Sequence, residues 1–379
     1  MNMQINRERL ARIFTELCLI ESPSRQEARV SSCLQEYFTR LGADFIHVDD
    51  SAAATGSQTG NLLIRFDGDS RHGEPLFFAC HMDTVGPTGG IEVVREGDTF
   101  SSKNETVLGA DDKSGIAALI ELFCLIQEND TPHCPIELLF TTCEEIGLLG
   151  AKALDPELLQ APYGYALDST HKNTIITGAP AANRLKITIQ GKAAHSGFAP
   201  ETGINALALA SKTINRLTLG RIDSLSTANL GLIRGGTATN IVPESIEIEG
   251  EVRSHSEELL AQHTRGIEKI FQECIAAAPS RPDMARPSLI FDVKEDFPAL
   301  SLDEDEPVIK RIHAAATVIG RRLSCAIAGG GSDANIFCGL GLKTAIIPTG
   351  MTNVHTTEEY VHLDDMVQLT ELLHAMTTS

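Results

Sequence analysis

What this sequence lacks narrows its identity before anything it contains. It has no run of about 18 apolar residues that could span a bilayer, no low-complexity tract and no internal repeat. Its first residues, Met1-Asn2-Met3-Gln4-Ile5-Asn6-Arg7-Glu8, lack the apolar core of a secretion signal. The nine cysteines are odd in number and scattered, and no C-x-x-C pair occurs. Neither a disulfide framework, a thiolate zinc site nor a thioredoxin-type motif is therefore expected. Basic residues are few: 31 against 51 acidic, a formal net charge of −20 that repels a phosphate backbone and excludes a nucleic-acid partner. The run Gly329-Gly330-Gly331-Ser332-Asp333 lacks the Gly-Lys-Ser/Thr ending of a P-loop. These absences leave a cytoplasmic globular protein with no membrane partner as the expectation.

What is present is an ordinary globular balance, with 42% hydrophobic and 22% charged residues over 379 positions. That length suits about two domains. The first third alternates helix and strand signals. Leu10, Ile13, Phe14 and Leu17 mark one helical face. Ser24 and Glu27 read as a capping box for a helix that Gly42 ends. Apolar runs at Leu62 to Phe66, Leu76 to Cys80 and Ile136 to Thr142 predict strands, and Ile116 to Ile126 a long apolar helix. Strands alternating with helices predict an α/β fold, its sheet mostly parallel and mixed with helices on both faces.

Near Gly178 the period changes to the alternation of strands with one wet face, at Leu185, Ile187, Ile189 and again at Ile246, Ile248, Val252. Helices are predicted at Ile204 to Leu217 and Glu257 to Ala277. After Pro298 the α/β pattern returns, with a helix from Pro307, a buried run Leu323 to Ala328, a strand Thr344 to Pro348 and a last helix around Asp365 to Met376. The expected division is a discontinuous catalytic domain, 1–179 and 297–379, interrupted by an inserted α+β module, 180–296.

The chemistry is expected where strands end. Leu76 to Cys80 runs into His81-Met82-Asp83, Ile136 to Cys143 into Glu144-Glu145, and Tyr165-Ala166-Leu167 into Asp168. Thr344 to Ile347 precedes the loop with His355, and Asp111-Asp112-Lys113 opens the long helix. In open α/β sheets the carboxyl ends of strands face the ligand crevice, so these groups can converge. Charged residues abutting buried strands are costly unless paired or metal-bound. Two histidines and several carboxylates without cysteine suit zinc, with cobalt or manganese as substitutes. Two adjacent metals need a bridging carboxylate, and a free carboxylate nearby can take a proton from water. Glu144-Glu145 offers one acid to bind and one to act as base, and Asp83 can orient the His81 ring.

His81-Met82-Asp83-Thr84, Gly109-Ala110-Asp111-Asp112-Lys113-Ser114-Gly115 and Glu144-Glu145-Ile146-Gly147 resemble, in order, the motifs of one metallopeptidase family. It is the family of peptidase T, glutamate carboxypeptidase, aminoacylase and succinyl-diaminopimelate desuccinylase. The resemblance implies two zinc ions per subunit. His81 and Asp168 would bind one, Glu145 and His355 the other, and Asp111 both. Asp112 would follow across a cis peptide. Glu144 would be the general base and Asp83 the histidine orienter. The inserted module resembles the family's lid and dimerisation domain. There His195, in Gly191-Lys192-Ala193-Ala194-His195-Ser196-Gly197, Asn240 and Arg253 would contact substrate. The implied activity is removal of the N-terminal residue from short peptides by a homodimer joined through the lid. Carboxypeptidase, dipeptidase or N-acyl amino acid deacylase activity is the alternative, and a non-catalytic peptide-binding relative the remote one. Asp168-Ser169-Thr170 and Ser196 depart from the peptidase T pattern and weaken an expectation of strict tripeptide preference.

Overall fold

The computed structural model describes residues 4–378, apart from 104, 171 and 279–285. The chain forms two compact units: Met1–Gly178 with Leu300–Ala328 and Ser332–Ser379, and Ala179–Ala299 with Gly329–Gly331.

The first unit is built on a mixed sheet of nine strands. Phe45–Val48, Leu62–Phe66 and Ile136–Thr141 pair antiparallel. From Ile136–Thr141 the sheet runs parallel through Leu76–His81, Tyr163–Ser169 and Lys343–Pro348. Leu76–His81 is buried at every position, as a central strand covered on both faces must be. Helix Arg7–Cys18 opens where the Asn6 side chain accepts the Arg9 N–H at 3.0 Å, and it buries Leu10, Ile13, Phe14 and Leu17. Helix Ala28–Arg40 buries Phe38, whose ring packs with those of Phe66, Phe123 and Phe140. Each such ring contributes about 1.5–3 kcal/mol of transfer free energy. Gly42 takes φ 79° and lets the Ala43 N–H return to the Phe38 carbonyl at 3.0 Å, closing the helix as expected.

Two local expectations fail here. The helix after Glu27 has no side-chain cap; Ser24 donates to Asp83 instead, and Glu27, buried and so in need of partners, accepts from Ser57 and Cys143. The run 323–328 is not buried either. Its strand, Ser324–Ile327, pairs only with Thr174–Ala179, and Ile327 is 67% exposed.

The long helix Ala110–Asn129 is buried over most of its length, and Asp111 and Asp112 in its first turn are not helical. A Cβ on Gly115 would lie 2.6 Å from Asp112 Oδ1 and 2.9 Å from Leu167 Cβ, so only glycine lets this helix lie so close to the sheet. A small sheet joins Val93–Glu96, Thr99–Ser102 and Tyr360–His362.

The second unit is an antiparallel five-stranded sheet, in the order Gly220–Arg221, Ser226–Gly235, Ser245–Ser254, Ala181–Gln190, Ser288–Phe297. Leu185, Ile187 and Ile189 face one side with Ile246, Ile248 and Val252 and pack against helices Ala206–Ile214 and Glu257–Ala276. The first of these helices starts later than its apolar pattern suggests, because the Asn205 side chain caps it by accepting the Ala208 N–H at 2.9 Å. No described helix is long and apolar enough to cross a membrane.

Candidate metal centre

Register alone brings the first ligand candidates together. Ala79 pairs with Ala166 across adjacent parallel strands. Two residues further on in each strand stand His81 and Asp168, at one level and on one face, since side chains alternate with period two. Ile136–Thr141 ends beside them, His81 opposite Thr141. The chain then turns through Cys143, at φ 55°, into Glu144 and Glu145.

The side chains converge on Asp111. His81 Nε2 lies 2.9 Å from Asp111 Oδ1, and His355 Nε2 lies 3.3 Å from Asp111 Oδ2 and 3.1 Å from Glu145 Oε1. One ligand atom each from His81, Asp111 and Glu145 falls within 4.8 Å of the others. Two imidazoles thus face the two oxygens of one carboxylate. The Asp111–Asp112 peptide is cis, as the resemblance implied.

His81 Nδ1 lies 2.8 Å from the Asp83 carbonyl oxygen. A carbonyl only accepts, so Nδ1 carries the proton, and a neutral ring then turns its Nε2 lone pair toward Asp111. Lone pair against carboxylate is repulsive unless a proton or a cation stands between them. The buried charges around it express the same demand. Hydrogen bonds to Asp111 and Glu145 push His355 up to about 10. His81 is also raised: burial would lower it, but Asp111 and Asp83 outweigh that. Burial, reinforced by Asp111 and Glu145, raises Asp168. Glu145 Oε1 is buried and faces the His355 ring at 3.1 Å. A nitrogen-and-oxygen donor set and surplus buried negative charge fit a divalent cation of the zinc type.

Glu144 stands beside this cluster. Burial, then the charges of Asp168, Asp333 and Glu145, raise its carboxyl well above the usual range, the direction a proton-accepting base at neutral pH requires. Asp83 meets the His81 ring through its main chain. Its carboxylate is 3.7 Å from His81 Nδ1, too far for a hydrogen bond, so the ring is oriented by the main-chain carbonyl. The carboxylate instead accepts the N–H groups of Glu144 and Glu145 at 2.9 and 3.2 Å and the Ser24 hydroxyl at 2.6 Å.

Sequence reasoning missed several supporting acids. Glu27, fully buried, accepts the Cys143 N–H at 3.0 Å and so holds the left-handed turn before Glu144. Asp333 accepts from Thr141 Oγ1, and burial raises its carboxyl to about 6. Glu359 accepts from Gly109 and Asp111. None carried a local signal: Glu27 mimics a cap, Glu359 sits in a polar stretch, and Asp333 follows glycines that suggest only a turn.

The lid candidates lie in the second unit. Ser196 donates its N–H to the Asn240 carbonyl at 2.9 Å, and His195 bridges to Ile241, so His195 and Asn240 share one corner. His195 Nδ1 accepts the Gly197 N–H at 3.2 Å, which leaves Nε2 as a donor. Arg253 is elsewhere. It lies on Ser245–Ser254 beside Glu251, at 3.0 Å, and 6.0 Å above the Phe297 ring, with its Nε unpartnered. The eight-residue climb from Ser245 to Arg253 covers about 26 Å along the strand.

Residues 77–379 match the model of peptidase family M20/M25/M40. The chain belongs to that family. It is 37% identical to the aminopeptidase PepT of Bacillus cereus ATCC 10987, whose crystal structure superposes with a TM-score of 0.88 and covers 98% of each chain. A tripeptidase from Staphylococcus aureus subsp. aureus Mu50 is 32% identical, with a TM-score of 0.92 over 99% of this chain and 98% of its own. The uncharacterized protein YqjE of Bacillus subtilis (strain 168) is 36% identical over 98% of both chains. The chain is accordingly a hydrolytic metallopeptidase, and its mixed α/β architecture is that of its peptidase relatives.

Proposed function

We propose that the protein is a two-zinc exopeptidase that removes the N-terminal residue from short peptides. The observation that carries this reading is the pair of imidazoles, His81 and His355, facing the two oxygens of Asp111 with Glu145 alongside. His81 and Asp168 would hold one cation, Glu145 and His355 the other, and Asp111 would touch both. When bound, such a pair polarises a peptide carbonyl and acidifies water. Glu144 takes the proton released from the attacking water and passes it to the departing amine. Asp83 keeps Glu144 in place through its backbone. His195, with Nε2–H free to donate, offers a hydrogen bond to the carbonyl oxygen as that oxygen gains charge. Arg253 offers a planar fork for a substrate carboxylate. The preference for a free amino end is supported by the aminopeptidase and tripeptidase relatives.

A homodimer joined through the second unit is part of the same proposal. His195 and Arg253 belong to opposite ends of one sheet, whereas a tripeptide spans at most about 11 Å. Contact of both with one substrate calls for two copies. The outer edge of Ser226–Gly235 beyond its short pairing with Gly220–Arg221 has no partner among the described residues, and Leu232 and Ile233 on it are exposed. An apolar free edge of this kind favours strand-to-strand association. Nine free cysteines agree with a reducing, cytoplasmic compartment.

The test is hydrolysis of a tripeptide, a dipeptide, the acetylated tripeptide and an N-acetyl amino acid by zinc-loaded protein. Cleavage of the free tripeptide, abolished by chelation and blocked by acetylation, is the expected result. Preference for the acetylated compounds would move the activity to a deacylase or carboxypeptidase.

A further inference from the structure

Four consecutive exposed residues, His355 to Glu358, are followed by Glu359, which is 1% exposed. Its carboxylate is turned inward and accepts two main-chain N–H groups, from Gly109 at 2.7 Å through Oε2 and from Asp111 at 3.0 Å through Oε1. These partners lie 250 and 248 positions away in the chain. Helix Ala110–Asn129 has no cap from its own N-cap residue, Gly109, and Glu359 supplies one from the far end of the sequence. Gly109 sits at φ 77°, and this left-handed turn leads its chain into the first residues of the helix.

The same loop carries His355. Thr352 and Tyr360 exchange backbone hydrogen bonds at 2.9 and 3.1 Å, which closes 353–359 into a loop. Inside it, Thr356 Oγ1 donates to the Asn353 carbonyl at 2.7 Å. His355 itself stands at φ 63° with half its side chain exposed. Its loop is bonded mainly to itself, and the Glu359 carboxylate ties it to the turn that presents Asp111.

We infer that Glu359 is a positioning residue that locks the His355 loop to the Asp111 turn, and so sets the separation of two ligands of the proposed metal centre. The inference rests on that reading of the centre. The carboxylate contacts the amide of Asp111 itself, so a shift there moves the facing oxygens directly. Ligand positions tolerate only about 0.2 Å. A carboxylate is required because two N–H donors need two acceptor oxygens. Glutamine offers one oxygen and would turn its NH2 group against the other donor. Loss of an outer partner of this kind lowers metal affinity about 10–100-fold.

The experiment titrates metal-free wild type, Glu359→Gln, Glu359→Asp and Glu121→Gln with cobalt(II), followed by visible absorption, and with zinc(II) against a competing chelator. Thermal unfolding is recorded with and without metal. Glu121 is equally buried, accepts from Arg9 and the Asn6 N–H, and serves as a purely structural control. Glu359→Gln should lose about 10–100-fold in affinity, with an altered cobalt spectrum and a smaller rise in melting temperature on adding metal. Glu359→Asp keeps two acceptor oxygens and should recover part of the affinity, and it stands in if Glu359→Gln does not fold. Glu121→Gln should melt lower with affinity unchanged. Wild-type affinity in folded Glu359→Gln, or equal affinity losses in the Glu359 and Glu121 variants, overturns the inference. A wild type that binds no metal overturns the reading of the centre beneath it.

Discussion

The turns around Asp111 in the first unit and the corner of His195 and Asn240 in the second are built in opposite ways. Around Asp111, buried carboxylates from elsewhere in the chain hold the turns of Asp111, Glu144 and Glu145: Asp83 on Glu144 and Glu145, Glu27 on Cys143, Glu359 on Gly109 and Asp111. His195 and Asn240 are exposed and held by main-chain bonds within their own corner. The first arrangement presets geometry for ions that tolerate little displacement. The second leaves side chains free to meet something that arrives.

The largest expected effect tests the rigid side. Glu144→Gln should lower kcat by about 10²–10⁴-fold while metal content stays at the wild-type level, measured by steady-state kinetics and elemental analysis. Normal turnover would remove Glu144 from its role. In the second unit, His195→Ala should cost about 10²–10³-fold in kcat without lowering stability. Mixing it with Glu144→Gln under conditions of subunit exchange should restore part of the activity, because one intact site can form from two damaged chains. No recovery with exchange demonstrated places His195 in the site of its own chain.

A core substitution asks whether the two regions are separable. Phe271 is fully buried in the second unit, and Phe271→Ala should cost about 3–5 kcal/mol in denaturant unfolding. Metal stoichiometry in the folded variant should be unchanged, and metal loss would show that the centre depends on the second unit's packing. The smallest effect is expected for Ser24→Ala, which removes one hydrogen bond from Asp83. A fall in kcat of roughly twofold to tenfold is expected, matching the usual net worth of one such bond.

Much of the fold was legible because its signals are local. Leu62–Phe66 matches its apolar run end to end, and the helix Glu257–Ala276 falls within one residue of its periodic pattern. His81, Asp111, Glu145 and His355 could be named because acids and histidines past strand ends, or at the glycine-flanked start of the long helix, stand out against apolar runs, and the geometry brings these four together. Arg253 could be named but not placed, and its separation from His195 follows from sheet register that no local pattern encodes. The capping box at Ser24 and Glu27 was misread for the same reason: both residues have the right chemistry for a helix end, but their buried partners lie 59 and 116 positions away.

The sequence by itself determined the α/β alternation, the change of period near Gly178 and the residue types of the centre, since each depends on neighbours a few positions apart. Only the tertiary structure decided which carboxylates face the two histidines and which hold the backbone. Asp83, Glu27 and Glu359 are chemically equivalent to Asp111 and Glu145, and only burial and the direction of the nearest N–H groups tell them apart.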